Sequence, residues 1–306
     1  MVTFAPFMRR FWTRLRLTLE MIRFEHSVFA LPFALTGALL AWRESGFHIP
    51  GLAWRFFWII VAMVAARSAA MAFNRILDAD IDAKNRRTAN RHLPAGVLSM
   101  RFAWGFTFAS SLIFIWAARQ LGWLCFLLAP VVLIVLFAYS FCKRFTAFSH
   151  LVLGFCLGMA PAAAWIALTG KLDARILWLT AAVTFWTAGF DVIYACQDFE
   201  FDCAEGLFSI PQRFGLRRAL LIARLLHAVM VGCLIALIVS FHLGVLSVAG
   251  LGIVILLLMY EHALVRADDL SRVNAAFFTV NGYVSVLFFV FWAADILFHR
   301  GYLLIR

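Results

Sequence analysis

Residues 67–96 read RSAAMAFNRILDADIDAKNRRTANRHLPAG, and they continue an apolar run, 53–73, that is long enough to cross a bilayer. Their carboxylates therefore arrive where a spanning helix reaches the membrane surface. Charge at that depth is costly and needs a functional reason. With 3.6 residues per turn, Arg67, Asn74, Asp78 and Asp82 fall in one narrow stripe, because steps of seven, four and four nearly close whole turns. Asp80 falls on the opposite side and reads as a solvated acid. The stripe predicts an oxygen-rich cluster of Asn74, Asp78 and Asp82 at the end of a membrane helix.

Composition agrees with a membrane class. Of 306 residues, 64% are hydrophobic and 14% charged, against roughly 25% charged in soluble domains. The 33 Phe and 11 Trp suit lipid-facing or tunnel-lining positions. A soluble core of this size would need far more polar surface, so the chain reads as a polytopic, all-α integral membrane protein. The six cysteines lack CxxC spacing and the eight histidines lack HExxH, which argues against a disulfide frame, a zinc site or a zinc hydrolase.

Windows of about 20 apolar residues predict nine spans: about 26 to 42, 52 to 73, 102 to 118, 121 to 139, 149 to 168, 174 to 196, 219 to 240, 243 to 264 and 274 to 297. Residues 1–23, with Arg9, Arg10, Arg14, Arg16 and Arg23 set among apolar residues, read as a basic amphipathic segment lying on the membrane. The remainder, 24–306, reads as a single transmembrane domain. With the N-terminus inside, 19 Lys and Arg fall on the inner side and 7 on the outer side. The positive-inside rule then puts the acidic stretch on the cytoplasmic face. The net charge of +11 is a topology signal and a means of meeting anionic lipid, and it gives no reason to expect nucleic acid.

A second acidic stretch, DVIYACQDFEFDCAEGLFSIPQRFG at 191–215, ends the sixth span on the same side. Asp198 and Asp202 repeat the spacing of Asp78 and Asp82. Asp191 stands seven before Asp198, as Arg67 stands seven before Asn74. Each acidic run passes into a loop with Pro and Gly, so cap loops are expected at about 83–101 and 203–218. Hard divalent cations bind carboxylate oxygens, and Mg²⁺ bridges them to substrate phosphates while keeping several waters. Two facing DxxxD pairs suit two Mg²⁺ ions on a diphosphate. Lys84, Arg86, Arg87, Arg91 and Lys143 supply cations nearby. Such a site turns a diphosphate into a good leaving group.

These residues carry a resemblance. The chain is similar to the UbiA superfamily of intramembrane prenyltransferases, whose first motif is matched by Asn74, Asp78, Asp82 and RTANR at 87–91. YACQDFEFD matches the second motif, and Tyr139 with Lys143 matches a Tyr-x-x-x-Lys motif. FEHSVFALPFALTGALLAW and MAFNRILDADIDAKNRRTANRHLPAG look most like the MqnP and 4-hydroxybenzoate polyprenyltransferase-like group. One departure is Asn74-Arg75, where many ubiquinone-pathway members have Asn-Asp.

The resemblance implies a nine-helix bundle around a central polar cavity, with a cytosolic cap and a lateral opening toward lipid. It implies Mg²⁺-dependent transfer of a polyprenyl group from a polyprenyl diphosphate to an aromatic acid, 1,4-dihydroxy-6-naphthoate or 4-hydroxybenzoate, in quinone biosynthesis. Asn74, Asp78, Asp82, Asp198 and Asp202 would hold the metal, and Lys143, Arg87 and Arg91 would meet the diphosphate. Tyr139 would face the allylic cation. Arg67 would pair with the acceptor's carboxylate, and Asp191 would orient the acceptor or take its proton. Haem-type acceptors and, outside enzymes, an ion-coupled transporter are the alternatives. Arg86, Arg144 and Arg217 read as topology charges, Glu200 as solvated, and Gly154 with Gly158 as a close helix contact.

Overall fold

The computed structural model describes residue 12, residues 16–22 and residues 27–298. Most of the basic N-terminal segment lies outside the described residues. Its described part, 16–21, is helical and buries Met21 and Ile22 against Ala72 and Leu98.

The described chain is helical throughout, with one isolated bridge between Arg266 and Asp269. The long helices are α1 (Ser27–Glu44), α2 (Leu52–Leu77), α4 (Met100–Leu121), α5 (Trp123–Tyr139), α6 (Ser149–Thr169), α7 (Leu177–Ala195), α10 (Leu216–Ser240), α11 (Val245–Leu264) and α12 (Asn281–Phe298). Short helices α3 (Ala79–Lys84), α8 (Phe199–Glu205) and α9 (Ile210–Phe214) sit on the side where α2 and α7 end. Eight helical segments are long and apolar enough to cross a membrane. The first expected span, α1, falls just short of them because its 18 residues end on Arg43 and Glu44. It nevertheless packs against α6 and α12 with Phe33, Ala34, Ala38 and Leu40 fully buried. Every expected span thus corresponds to a helix of the bundle.

In lipid the backbone must satisfy its own hydrogen bonds, which is why the apolar runs become helices. The hairpins are tight where glycine permits it. Gly122, at φ 141°, alone separates α4 from α5. Helix α7 forms the centre, packed against α6 and α10, with Trp186 fully buried among Phe29, Phe33 and Phe190. Close approach of α6 to α7 depends on small residues. A Cβ at Gly154 would run into the carbonyl of Thr184, and one at Gly158 would lie 2.6 Å from the carbonyl of Thr180. A π-helical stretch, Ala275–Val280, leads into α12 and carries Phe277 to the wall of the central cavity.

Candidate active site

The two acidic stretches are built alike. Asp78 follows α2 and opens α3 at φ −89°, ψ 1°. Asp198 opens α8 at φ −98°, ψ 7°. Both occupy the sparsely populated bridge region, where active-site residues are often found. Asp82 and Asp202 are each the fourth residue of the short helix that follows. The expected uninterrupted helix through residues 67–82 is therefore corrected: it breaks at Asp78. The stripe survives the break, because Asp78 N–H still reaches the Asn74 carbonyl at 2.9 Å and Asp82 N–H the Asp78 carbonyl at 2.7 Å.

Three of the four carboxylates have a cationic or amide partner. Arg87 grips Asp198 with two nitrogens and donates to the Tyr194 hydroxyl at 3.0 Å. Asn85 adds a bond to Asp198 at 3.1 Å. Arg91 holds both oxygens of Asp82, at 2.7 and 2.6 Å, and Arg75 stands 3.9 Å from the same group. Asn74 donates to Asp78 at 3.0 Å, and Arg144 lies 3.6 Å from it. Asp202 lies near Ser209 and Lys143. Burial pushes the Asp78 carboxyl above the ordinary aspartate value; the Lys143 charge opposes this and the Asp82 charge adds to it. A further cation beside it would favour its charged form.

All of these acids line one cavity together with Lys143 and Tyr139. Arg67, Asn74, Arg87, Arg91 and Asp191 line it too, so the structure brings together all eleven residues singled out from the sequence. Its remaining wall includes Phe29, Leu153, Leu157, Phe190 and Phe277. The lining thus combines many charges with apolar side chains, which suits a ligand with a charged head and a hydrocarbon tail.

Some cations stand elsewhere than expected. Lys84 does not line the cavity; it is exposed and bonds Glu205 at 2.7 Å, tying α3 to α8. Arg86 is exposed, as a topology charge would be. Arg144 departs from that reading: besides approaching Asp78, it donates to the Leu77 carbonyl at 2.8 Å at the end of α2. Glu200 and Asp80 are exposed, as expected.

Several residues of the site carried no separate signal in the sequence. Arg75 lies inside the acidic cluster, at the position where the chain departs from the ubiquinone-pathway pattern. Asn85 and Tyr194 bridge the two stretches through Arg87 and Asp198. Tyr194 stands 120 residues after Asn74, so the repeat offset could have found it. His150 is buried and donates to Asp191 across 41 residues of chain; no spacing rule reaches that far.

The donor set fits Mg²⁺. It is made of hard carboxylate and amide oxygens. Among the described residues no three His, Cys, Asp or Glu side chains converge as a metal cage. Mg²⁺ is usually bound through one or two carboxylates and completes its shell with water and phosphate oxygens.

Comparison with known proteins gives a consistent result. The model of the UbiA prenyltransferase family matches residues 30–293. The 4-hydroxybenzoate octaprenyltransferase of Aliivibrio fischeri (strain MJ11) is 27% identical over 78% of this chain and 83% of its own. The apo structure of a UbiA homologue from Aeropyrum pernix K1 superposes with a TM-score of 0.79 at 34% identity, over 89% of this chain and 98% of that one. A UbiA homologue from Archaeoglobus fulgidus, bound to GPP and Mg²⁺, shares the fold with a TM-score of 0.70 at 21% identity, over 92% of this chain and 99% of its own.

Proposed function

This chain belongs to the UbiA prenyltransferase family, and from that premise we propose that it is an integral membrane enzyme transferring a polyprenyl group to a carboxylate-bearing aromatic ring. The donor is a polyprenyl diphosphate, and the acceptor is 1,4-dihydroxy-6-naphthoate or 4-hydroxybenzoate, as in quinone biosynthesis. The observation that carries this reading is the cavity in which five aspartates, Lys143 and four arginines stand beside apolar side chains.

Asp78, Asp82, Asp198 and Asp202, with Asn74, are the residues that would hold Mg²⁺ against the diphosphate. When bound, the metal neutralises charge that develops on the leaving diphosphate. Lys143 and the arginines on the cap supply the rest of that neutralisation. Arg87 ties Asp198 to the first stretch and Arg91 holds Asp82 within it, and both guanidinium groups would bring positive charge to the diphosphate. Phe29, Leu153, Leu157 and Phe277 keep water from the tail. The C1–O bond breaks with its electron pair leaving on diphosphate, and Tyr139 offers an aromatic face to the allylic cation. Arg67 anchors the acceptor through its carboxylate, and Asp191 takes the ring proton.

The excess of Lys and Arg on the cap side supports a cytoplasmic site in the bacterial inner membrane. The loops at about 83–101 and 203–218 serve as its cap.

The test is an assay of purified protein in nanodiscs with Mg²⁺, a polyprenyl diphosphate and each acceptor, read by mass spectrometry of lipid products. Prenylated product is expected, and the better acceptor names the pathway. Absence of both product and diphosphate release would sink the proposal.

A further inference from the structure

The turn at 207–210 touches three residues of the site, Asp202, Lys143 and His150. Leu207 N–H bonds the Asp202 carbonyl and Phe208 N–H the Lys143 carbonyl, both at 2.9 Å. The Ser209 side chain lies near the Asp202 carboxylate. Ile210 N–H donates to Nε2 of His150 at 3.3 Å. Because Nε2 accepts, the ring proton is on Nδ1, which lies 2.7 Å from Oδ2 of Asp191. That bond therefore runs from His150 to Asp191.

His150 sits in the first turn of α6 and is 1% exposed, although Leu153 and Leu157 on the same helix are apolar cavity residues. A buried imidazole with both nitrogens engaged, one by a backbone amide and the other by a cavity carboxylate, has a single orientation and a single tautomer. The buried His227 differs. It bonds His262 and the Trp186 carbonyl and does not line the cavity.

We propose that His150 is a positioning residue that fixes Asp191 as the acceptor of the proton lost from the aromatic ring, and that the 207–210 turn ties this group to the diphosphate end of the site. The inference rests on the prenyl-transfer reading above. In the step concerned, the ring's π pair forms the new C–C bond to C1 of the prenyl group. The ring C–H bond then breaks, its electron pair restores the aromatic ring, and the proton passes to the Asp191 carboxylate that His150 aims.

Two isosteric variants divide the roles. His150→Asn keeps an N–H near Nδ1 and loses the acceptor for Ile210. His150→Gln keeps an acceptor near Nε2 and loses the donor to Asp191. Each is assayed in nanodiscs with Mg²⁺, geranyl diphosphate and whichever acceptor the parent protein prenylates, and folding is followed by thermal unfolding.

For His150→Gln, prenylated product is expected to fall about 10- to 100-fold, the usual cost of losing an orienting outer partner. Diphosphate release falls less, so geraniol appears, and a ring-deuterated acceptor shows a primary isotope effect absent from the parent. His150→Asn keeps coupling close to the parent's. Ile210→Pro, at a first-turn position that suits proline, removes the N–H together with part of a buried side chain and gives a smaller isotope effect; where thermal unfolding shows it folded, it decides the matter if His150→Gln does not fold. Parent-like coupling in His150→Gln and Ile210→Pro, or equal loss of both outputs in both His150 variants with no isotope effect, overturns the inference. No product from the parent protein overturns the reading beneath it, and the inference with it.

Discussion

Arg87 donates from Nε to Oδ1 of Asp198 at 3.0 Å and from a terminal nitrogen to Oδ2, closing a two-pronged contact between the two acidic stretches. Arg91 reaches both oxygens of Asp82, nine residues before it in the same stretch, through one terminal nitrogen. Asp198 and Asp82 are thus each paired with a guanidinium, which offsets their mutual repulsion. A guanidinium suits this role because its planar fork fits a carboxylate and a phosphate alike.

Arg87→Lys keeps the charge and loses the fork. Loss of one charge-assisted hydrogen bond, about 1.5 kcal/mol or more, predicts a rise of roughly 10-fold in the KM for the polyprenyl diphosphate with the acceptor KM unchanged. Steady-state kinetics in each substrate separately would check it. An equal rise in both would show that Arg87 acts on the cavity as a whole.

Asp78 makes metal binding pH-dependent. Burial raises its folded value above the unfolded one, so the metal-free protein holds this proton more tightly than the unfolded chain does. Stability contributed by that proton is present at low pH and is lost as pH rises through the raised value. Mg²⁺ binding expels the proton, so apparent Mg²⁺ affinity should increase with pH across the same acid range. Isothermal titration at several pH values measures it. Asp78→Asn should abolish Mg²⁺-dependent turnover, flatten that slope and leave the metal-free melting temperature no lower than the parent's at neutral pH.

The α6–α7 contact sets the distance between His150 and Asp191. Gly154→Ala or Gly158→Ala must push the helices apart, at about 1–3 kcal/mol for overpacking. Either should lower the melting temperature and the turnover together. Gly232→Ala, whose added methyl meets nothing within 4 Å, is the control and should be neutral or slightly stabilising.

A buried polar network stands behind the cavity wall. Trp186 Nε1 donates to Asn281 at 2.8 Å, and Asn281 donates to Glu261 at 2.7 Å and to the Ala276 carbonyl at 3.1 Å. Asn281→Ala leaves Trp186 and Glu261 without these partners at about 1–3 kcal/mol for each buried group left unsatisfied. It also frees the π-helical stretch that carries Phe277. The expected outcome is a lower melting temperature and a larger loss of activity with long prenyl donors than with geranyl diphosphate. Equal loss with both would separate the network from the apolar wall.

Arg67→Leu should raise the KM for the aromatic acid while leaving that for the diphosphate in place. An acceptor lacking its carboxylate should then be used equally by parent and variant, as expected when the only interaction removed is the one with that carboxylate.

The spans and both acidic motifs were readable directly because each depends on neighbours within one or two helical turns. Hydropathy marks a membrane helix wherever about 20 residues agree, and the spacing of Asp78 to Asp82 and of Asp198 to Asp202 needs only the helical period. The break of the helix at Asp78 was not readable. Asp78 stands beside Arg144, from the turn that follows α5, and no local propensity encodes that contact.

By itself the sequence determined a membrane-spanning helical protein with two matched carboxylate pairs, Lys143 and the loop arginines on one side of the bilayer. Only the tertiary structure decided which cation meets which acid: Arg87 with Asp198, Arg91 with Asp82, Lys84 diverted to Glu205, and Arg144 drawn to Asp78. It also decided that His150 meets Asp191. The physical reason is range. Apolar periodicity acts along the chain, whereas a salt bridge or hydrogen bond is fixed by where two distant helices stop, and that is settled by packing at positions such as Gly154 and Trp186, far from the charges themselves.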